Sequence, residues 1–137
     1  MKILLLTIFT ISSLLSSDIG RLQAKILSTI AHALVDKNSL NVCLDDKDLN
    51  SSRKYAKSLK FVSCSKADIV FTSKVEDINM KCKTGLVFAT SYYLYRHSPM
   101  VVGAFFWQKG RPNIIFRKKQ LEKLGIKLPR EFNKYVE

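Results

Sequence analysis

The stretch Met100–Phe116, MVVGAFFWQKGRPNIIF, constrains the fold more than any other part of the chain. Two apolar runs, Met100–Trp107 and Asn113–Phe116, flank a polar turn at Gln108–Pro112. Gly110 takes a positive φ at little cost, as tight hairpin turns require. Pro112 has no N–H to donate and belongs at the turn edge rather than in mid-sheet. The β-branched and aromatic residues on either side favour strands. Both runs are nearly continuous rather than alternating, which predicts a hairpin covered on both faces and central to a mixed sheet.

Upstream, apolar runs alternate with helical patterns. Ile19, Leu22, Ile26, Ile30 and Leu34 recur at three and four residues and predict a helix over Ile19–Val35, capped by Ser17 or Asp18. Short strands are expected at Leu40–Leu44, Phe61–Cys64, Ala67–Phe71 and Gly85–Ala89. A second helix, capped by Asp48, is expected at Leu49–Leu59, and a short helix or turn within Thr72–Met80. Thr90–Pro99 leads into the hairpin. Lys118–Leu124 reads as a helix stopped by Gly125, and Pro129–Tyr135 as a last short helix. Strands alternating with helices predict an α/β fold. The expected architecture is a single domain with a mixed, mostly parallel sheet, flanking helices and a C-terminal antiparallel hairpin. A chain of 137 residues, 47% of them hydrophobic, suits one domain with a buried core.

The first residues set the compartment. Met1-Lys2 is followed by an apolar run, Ile3–Leu15, of about 13 residues, too short for a membrane anchor. Small residues follow, so residues 1–17 read as a secretory signal peptide cut near Ser16 or Ser17. Residues 18–137 would then be the exported domain. The formal net charge of +12 would suggest nucleic acid in a cytoplasmic protein, and export argues against that. The charge then suits an acidic protein surface, anionic membrane head groups or a small anion. The excess is strongest from Arg96 to Glu137, which holds ten Lys/Arg and three acids.

Two groups of residues stand out as candidate sites. Ser91, Tyr92, Tyr93, Arg96 and His97 follow the carboxyl end of a predicted strand, where open α/β sheets place ligand crevices. Arg96 there would suit a carboxylate or phosphate. Arg111, Arg117, Lys118 and Lys119 gather around the hairpin and the next helix and could meet an acidic partner. No nucleophile elbow, phosphate loop or His/Cys metal spacing is present, so neither a catalytic activity, a metal nor a cofactor is expected. Asp45, Asp46 and Asp48 lack the spacing and glycine of a calcium loop and read as a solvated turn.

The chain resembles the small periplasmic YfiR/HmsC-like proteins. Leu40–Leu44, with a Cys inside it, is similar to that family's first strand, and Ala67–Ser73 to its third. Leu86–Thr90 takes the place of a strand ending in a short polar segment. Gly103–Phe116 followed by Gln120–Leu128 is most similar, with a Gly-Arg turn and a helix ending in Gly. The chain keeps one glycine, Gly103, where the family has a pair. Arg117-Lys118-Lys119 stands where the family often has Asn. The resemblance implies a periplasmic regulator without catalytic activity. Such a protein binds the periplasmic part of a membrane-bound signalling protein, of the diguanylate cyclase or sensor kinase type. Members can form homodimers and carry disulfides. Cys43 matches the first-strand Cys, and Cys64 precedes the neighbouring strand. A Cys43–Cys64 bridge would close a loop of about 20 residues and contribute roughly 3 kcal/mol. Cys64–Cys82, or three unpaired thiols, are the alternatives. The alternative function is a small periplasmic protein that binds an anionic ligand near Ser91–His97.

Overall fold

The structure, a computed structural model, describes residues 2–74 and 86–137, and for residues 2–17 only the course of the backbone. One six-stranded sheet runs in the order β2-β1-β3-β4-β5-β6. Its strands are β1 (Leu40–Asp45), β2 (Leu59–Phe61), β3 (Ile69–Thr72), β4 (Val87–Ala89), β5 (Gly103–Gln108) and β6 (Arg111–Phe116). The first five are parallel and β6 returns antiparallel to β5. The helices are α1 (Lys2–Leu34), α2 (Tyr92–His97) and α3 (Lys118–Leu124). The chain is therefore an α/β domain with a mostly parallel sheet and a C-terminal hairpin, as the alternating pattern predicts.

The helix α1 does not begin at Ser17 or Asp18. It runs unbroken from Lys2 to Leu34, because no proline interrupts the apolar run and each added residue closes another backbone bond. Its buried stripe is also rotated from the expected one. Ala24, Leu27, Ile30, Ala31 and Leu34 are buried, whereas Ile19 and Leu22 are exposed. Gly20 explains the rotation. A Cβ there would come within 3.2 Å of the Tyr55 ring and 3.3 Å of the Ser51 carbonyl, so the glycine side of α1 lies against that loop.

The helix expected at Leu49–Leu59 is a 3-10 turn at Lys47–Ser52, and Asp46 rather than Asp48 caps it. Ser52 Oγ donates to Leu49 O at 2.6 Å. Such local bonds compete with helix propagation. Leu49, Ala56 and Leu59 still turn inward. The second strand is shifted to Leu59–Phe61, and Cys64 lies in a 3-10 turn, Cys64–Lys66, on the way to β3. The short helix or turn expected within Thr72–Met80 falls largely outside the described residues, as does Cys82.

Alternation along the strands assigns the two faces of the sheet. Val42, Leu44, Ile69, Phe71, Phe88, Phe105 and Phe116 join the α1 residues in the main core. Rings cross that face edge to face: Phe71–Phe88 at 5.6 Å, Phe88–Phe116 at 5.7 Å and Phe116–Phe132 at 5.8 Å. Gly103 sits under this row. A Cβ there would fall 2.3 Å from Ile115 O and 2.6 Å from the Phe88 ring. On the other face, Val87, Ala89, Val101 and Ala104 pack beneath Leu94 and Tyr95 of α2. Cys43 bonds Cys64 across 4.8 Å between Cα atoms and ties the β2–β3 crossover to β1.

The hairpin departs from expectation in its coverage and its place. It forms an edge of the sheet, not its centre. Only Gly103 and Ala104 of β5 have partners in β4, whereas all six residues of β5 pair with β6. Phe105–Gln108 therefore extend past the end of β4 as an arm of roughly 13 Å. Covering elements end where β4 ends, so burial falls away towards the tip. Lys109 and Gly110 both have positive φ, 54° and 73°, the two-residue turn that matches strand twist.

Candidate functional site

The sheet is divided by charge. From Ile78 to Leu121 the sequence contains no Asp or Glu. Within the described part of that stretch, Arg96, Lys109, Arg111, Lys118 and Lys119 are accessible cations. The same region carries exposed aromatic rings: Tyr92, Tyr93 and Trp107.

The helix α2, formed within the Thr90–Pro99 stretch that leads into the hairpin, positions two of these rings. Ser91 caps it, with Oγ accepting from Leu94 N at 3.1 Å. The Ser before an aromatic-rich run was the available signal. Tyr92 in the first turn leans on Phe106 of β5, with centroids 5.1 Å apart. Arg96, one turn on, lies over the Tyr92 ring at 6.0 Å. Tyr93 points away from this contact and stacks on His97 at 4.1 Å. His97 Nδ1 also lies 2.9 Å from Tyr93 O.

Ser91, Tyr92, Tyr93, Arg96 and His97 thus do not converge on one crevice. Only Tyr92 among them lines the open depression of about 480 Å³ on this side of the hairpin. Its floor is Phe106 and Ile115, with Gln108 and Asn113 on the same face; Trp107 and Ile114 border it from strand positions whose side chains turn to the other face, where Trp107 packs on Phe105. Gln108 and Asn113 are shared with a neighbouring depression that Lys109 and Arg111 border. The two form one groove along the uncovered face of the arm. Phe106, Gln108, Asn113 and Ile115 escape notice in sequence because the apolar run hides their alternation.

The basic quartet is likewise divided. Arg111 stands at the tip, and Lys118 and Lys119 open α3 at the far end of β6, exposed. Arg117 is engaged within the fold. Its guanidinium donates to Ser98 O at 2.9 Å, to Val101 O at 3.4 Å and to Tyr95 O, and lies 4.1 Å from the centre of the Tyr95 ring. It holds the carboxyl end of α2 against β6. Tyr95 OH donates to Glu137 Oε1 at 2.8 Å. Burial, reinforced by this carboxylate, pushes the Tyr95 hydroxyl up to about 12.

A second crevice opens at the carboxyl ends of β1 and β3, where the strand order reverses. Two of its three acids, Asp45 and Asp46, are tied into the structure by their carboxylates. Thr72 Oγ1 donates to Asp45 Oδ2 at 3.1 Å and Thr90 Oγ1 to Asp46 Oδ2 at 2.6 Å. Asp46 also accepts from Asp48 N at 3.0 Å. Among the described residues no group of three or more His, Cys, Asp or Glu is placed to hold a metal ion.

The geometry defines a class: an α/β domain with a projecting, aromatic and cationic hairpin. No family description matches the chain, and no curated protein does. A conserved domain protein of Vibrio cholerae O1 biovar El Tor, known from its crystal structure, is similar in fold. The TM-score is 0.52 and the identity 10%, over 83% of this chain. The match spans 58% of the length of the Vibrio protein.

Proposed function

We propose that the chain is an exported, non-catalytic regulatory protein that binds the sensing domain of a membrane-bound signalling protein in the periplasm. One observation carries the reading: the half of the sheet around the hairpin presents aromatic rings and cations with no acid among them from Ile78 to Leu121. Exposed aromatics beside Arg are the composition of protein-binding surfaces. The Cys43–Cys64 bond suits an oxidising compartment, and residues 1–17 supply the export signal in this reading. Among the described residues, no helix is long and apolar enough to cross a membrane. The resemblance to YfiR/HmsC-like regulators points the same way and names the partner type, a diguanylate cyclase or sensor kinase. The test is a pull-down with the tagged, processed protein from a native membrane extract. Recovery of a membrane sensor is the expected result, and its absence would count against this function. A small anionic ligand near Ser91–His97 gains nothing from the geometry, since those side chains diverge.

A further inference from the structure

We propose that the groove on the open face of the hairpin takes an extended, acidic segment of a partner protein, which adds alongside β6. This rests on the protein-binding reading above and names the place and the chemistry of contact.

The shape comes first. In this fold α2 covers β4 and β5 on this side, and its Tyr92 forms one wall of the groove over Phe106. Phe106 and Ile115 give an apolar floor. Gln108 and Asn113 bring side-chain amides into it, which suit a peptide backbone better than an acyl chain.

The edge comes next. Arg117 N donates to Val102 O at 2.8 Å. Antiparallel alternation then turns Ile115, Asn113 and Arg111 towards β5, and turns the N–H and C=O of Ile114 outward. Among the described residues no bond outside the β5–β6 ladder reaches either group. On one side Pro112 ends the donor row. On the other, Glu137 N occupies Phe116 O at 3.0 Å, so the tail closes that end. What remains is one donor and acceptor pair on the sheet edge beside the groove, enough to register a short strand.

Charge selects the occupant. Lys109 and Arg111 border the groove at the tip, and Arg96 lies over the ring of its Tyr92 wall, with no acid in the sequence from Ile78 to Leu121. A second copy would bring the same cations to the contact and be repelled. An acidic segment with apolar residues on alternate positions satisfies floor, edge and rim together.

Trp107, the chain's single tryptophan, turns to the opposite face and packs on Phe105, so occupancy of the groove is read by isothermal titration calorimetry. The probe is a short synthetic peptide alternating Glu with Leu and Phe, added at up to millimolar concentration to the processed protein. Its Lys-for-Glu counterpart and phosphatidylglycerol vesicles serve as the competing probes. The expected result is saturable binding heat with the Glu peptide alone, weakened by salt. Arg96→Glu with Arg111→Glu should weaken it about tenfold, with the far-ultraviolet spectrum unchanged. No response to the Glu peptide, an equal response to the Lys peptide, or a stronger response to the vesicles overturns the proposal. So does concentration-dependent dimerisation that the double reversal abolishes. If the double variant still recovers a membrane sensor from native extract, the protein-binding function stands and this groove is not its site.

Discussion

The β1–β3 half and the β4–β6 half of the sheet are built from similar short strands but held in different ways. In the first, α1 covers one face and a disulfide fixes the crossover on the other. Its charges are mixed, and several are engaged within the fold. Lys37 Nζ lies 2.8 Å from Asp68 Oδ1, and Asp45 and Asp46 accept from Thr72 and Thr90. In the second, a row of edge-to-face rings replaces the helix as the main cover, and Arg117 clamps α2 in place. The hairpin then runs past its neighbours and leaves rings and cations exposed. The first half closes its polar groups on itself. The second keeps a surface whose rings and cations have few internal uses, and that is where recognition belongs.

The sharpest way to break this contrast is to remove a ring. Phe88→Ala should cost about 3–5 kcal/mol, since Phe88 touches both Phe71 and Phe116 and lies over Gly103. Urea unfolding would measure it, and a loss under about 1 kcal/mol would show that the row does not hold the second half. Replacing both cysteines of the Cys43–Cys64 bond with Ala should cost roughly 3 kcal/mol in the first half. Hydrogen exchange should then rise at β1 and β2 before it rises at β5. Arg117→Ala should cost about 2 kcal/mol, because three backbone carbonyls lose a charged donor. Arg117→Lys should restore less than half of that, since an ammonium cannot span the same fork.

The pH response separates the halves more finely. Folding keeps Tyr95 protonated up to about 12, above its ordinary value of 10.0. The stability that this contributes is present in full below pH 10 and is lost as pH rises through 12. Tyr95→Phe should flatten that alkaline decline in thermal unfolding. Asp68 behaves in the opposite sense. The Lys37 ammonium, and then the Asn41 N–H, hold its carboxyl below the usual value, so its contribution is lost as pH falls through the lowered value. The smallest stability effect belongs to Arg111→Glu at the exposed tip of the hairpin, which should change stability by under about 0.5 kcal/mol while weakening partner recovery.

Much of this was legible in the residues. The strand and helix alternation read through to a mostly parallel sheet. Gly125 closes α3 with φ 68°, as its position predicts. The pairing of Cys43 with Cys64 was one of three readings and is the one the fold adopts. The hairpin turn was readable because Lys109-Gly110 needs a conformation that few residues tolerate. What misled was continuity. The apolar run over Met100–Trp107 looks the same whether it lies between two layers or passes beyond them, because period alone carries no information on where neighbours end. Arg117 failed to read for a similar reason. As part of a basic run it resembles a solvated cation, and only the approach of Tyr95, Ser98 and Val101 gives it an internal role.

The sequence by itself determined the class of fold, the turn of the hairpin, the glycine stop of α3 and the excess of cations near its end. Each depends on local backbone preference or on composition, which no neighbour is needed to express. Tertiary structure decided the rotation of α1 onto Gly20, the use of Asp46 rather than Asp48 as a cap, and the overhang of β5 beyond β4. It also decided which cations are engaged and which are offered. Those outcomes follow from where chain ends and loops meet in space, since a side chain's role is set by the partner that reaches it.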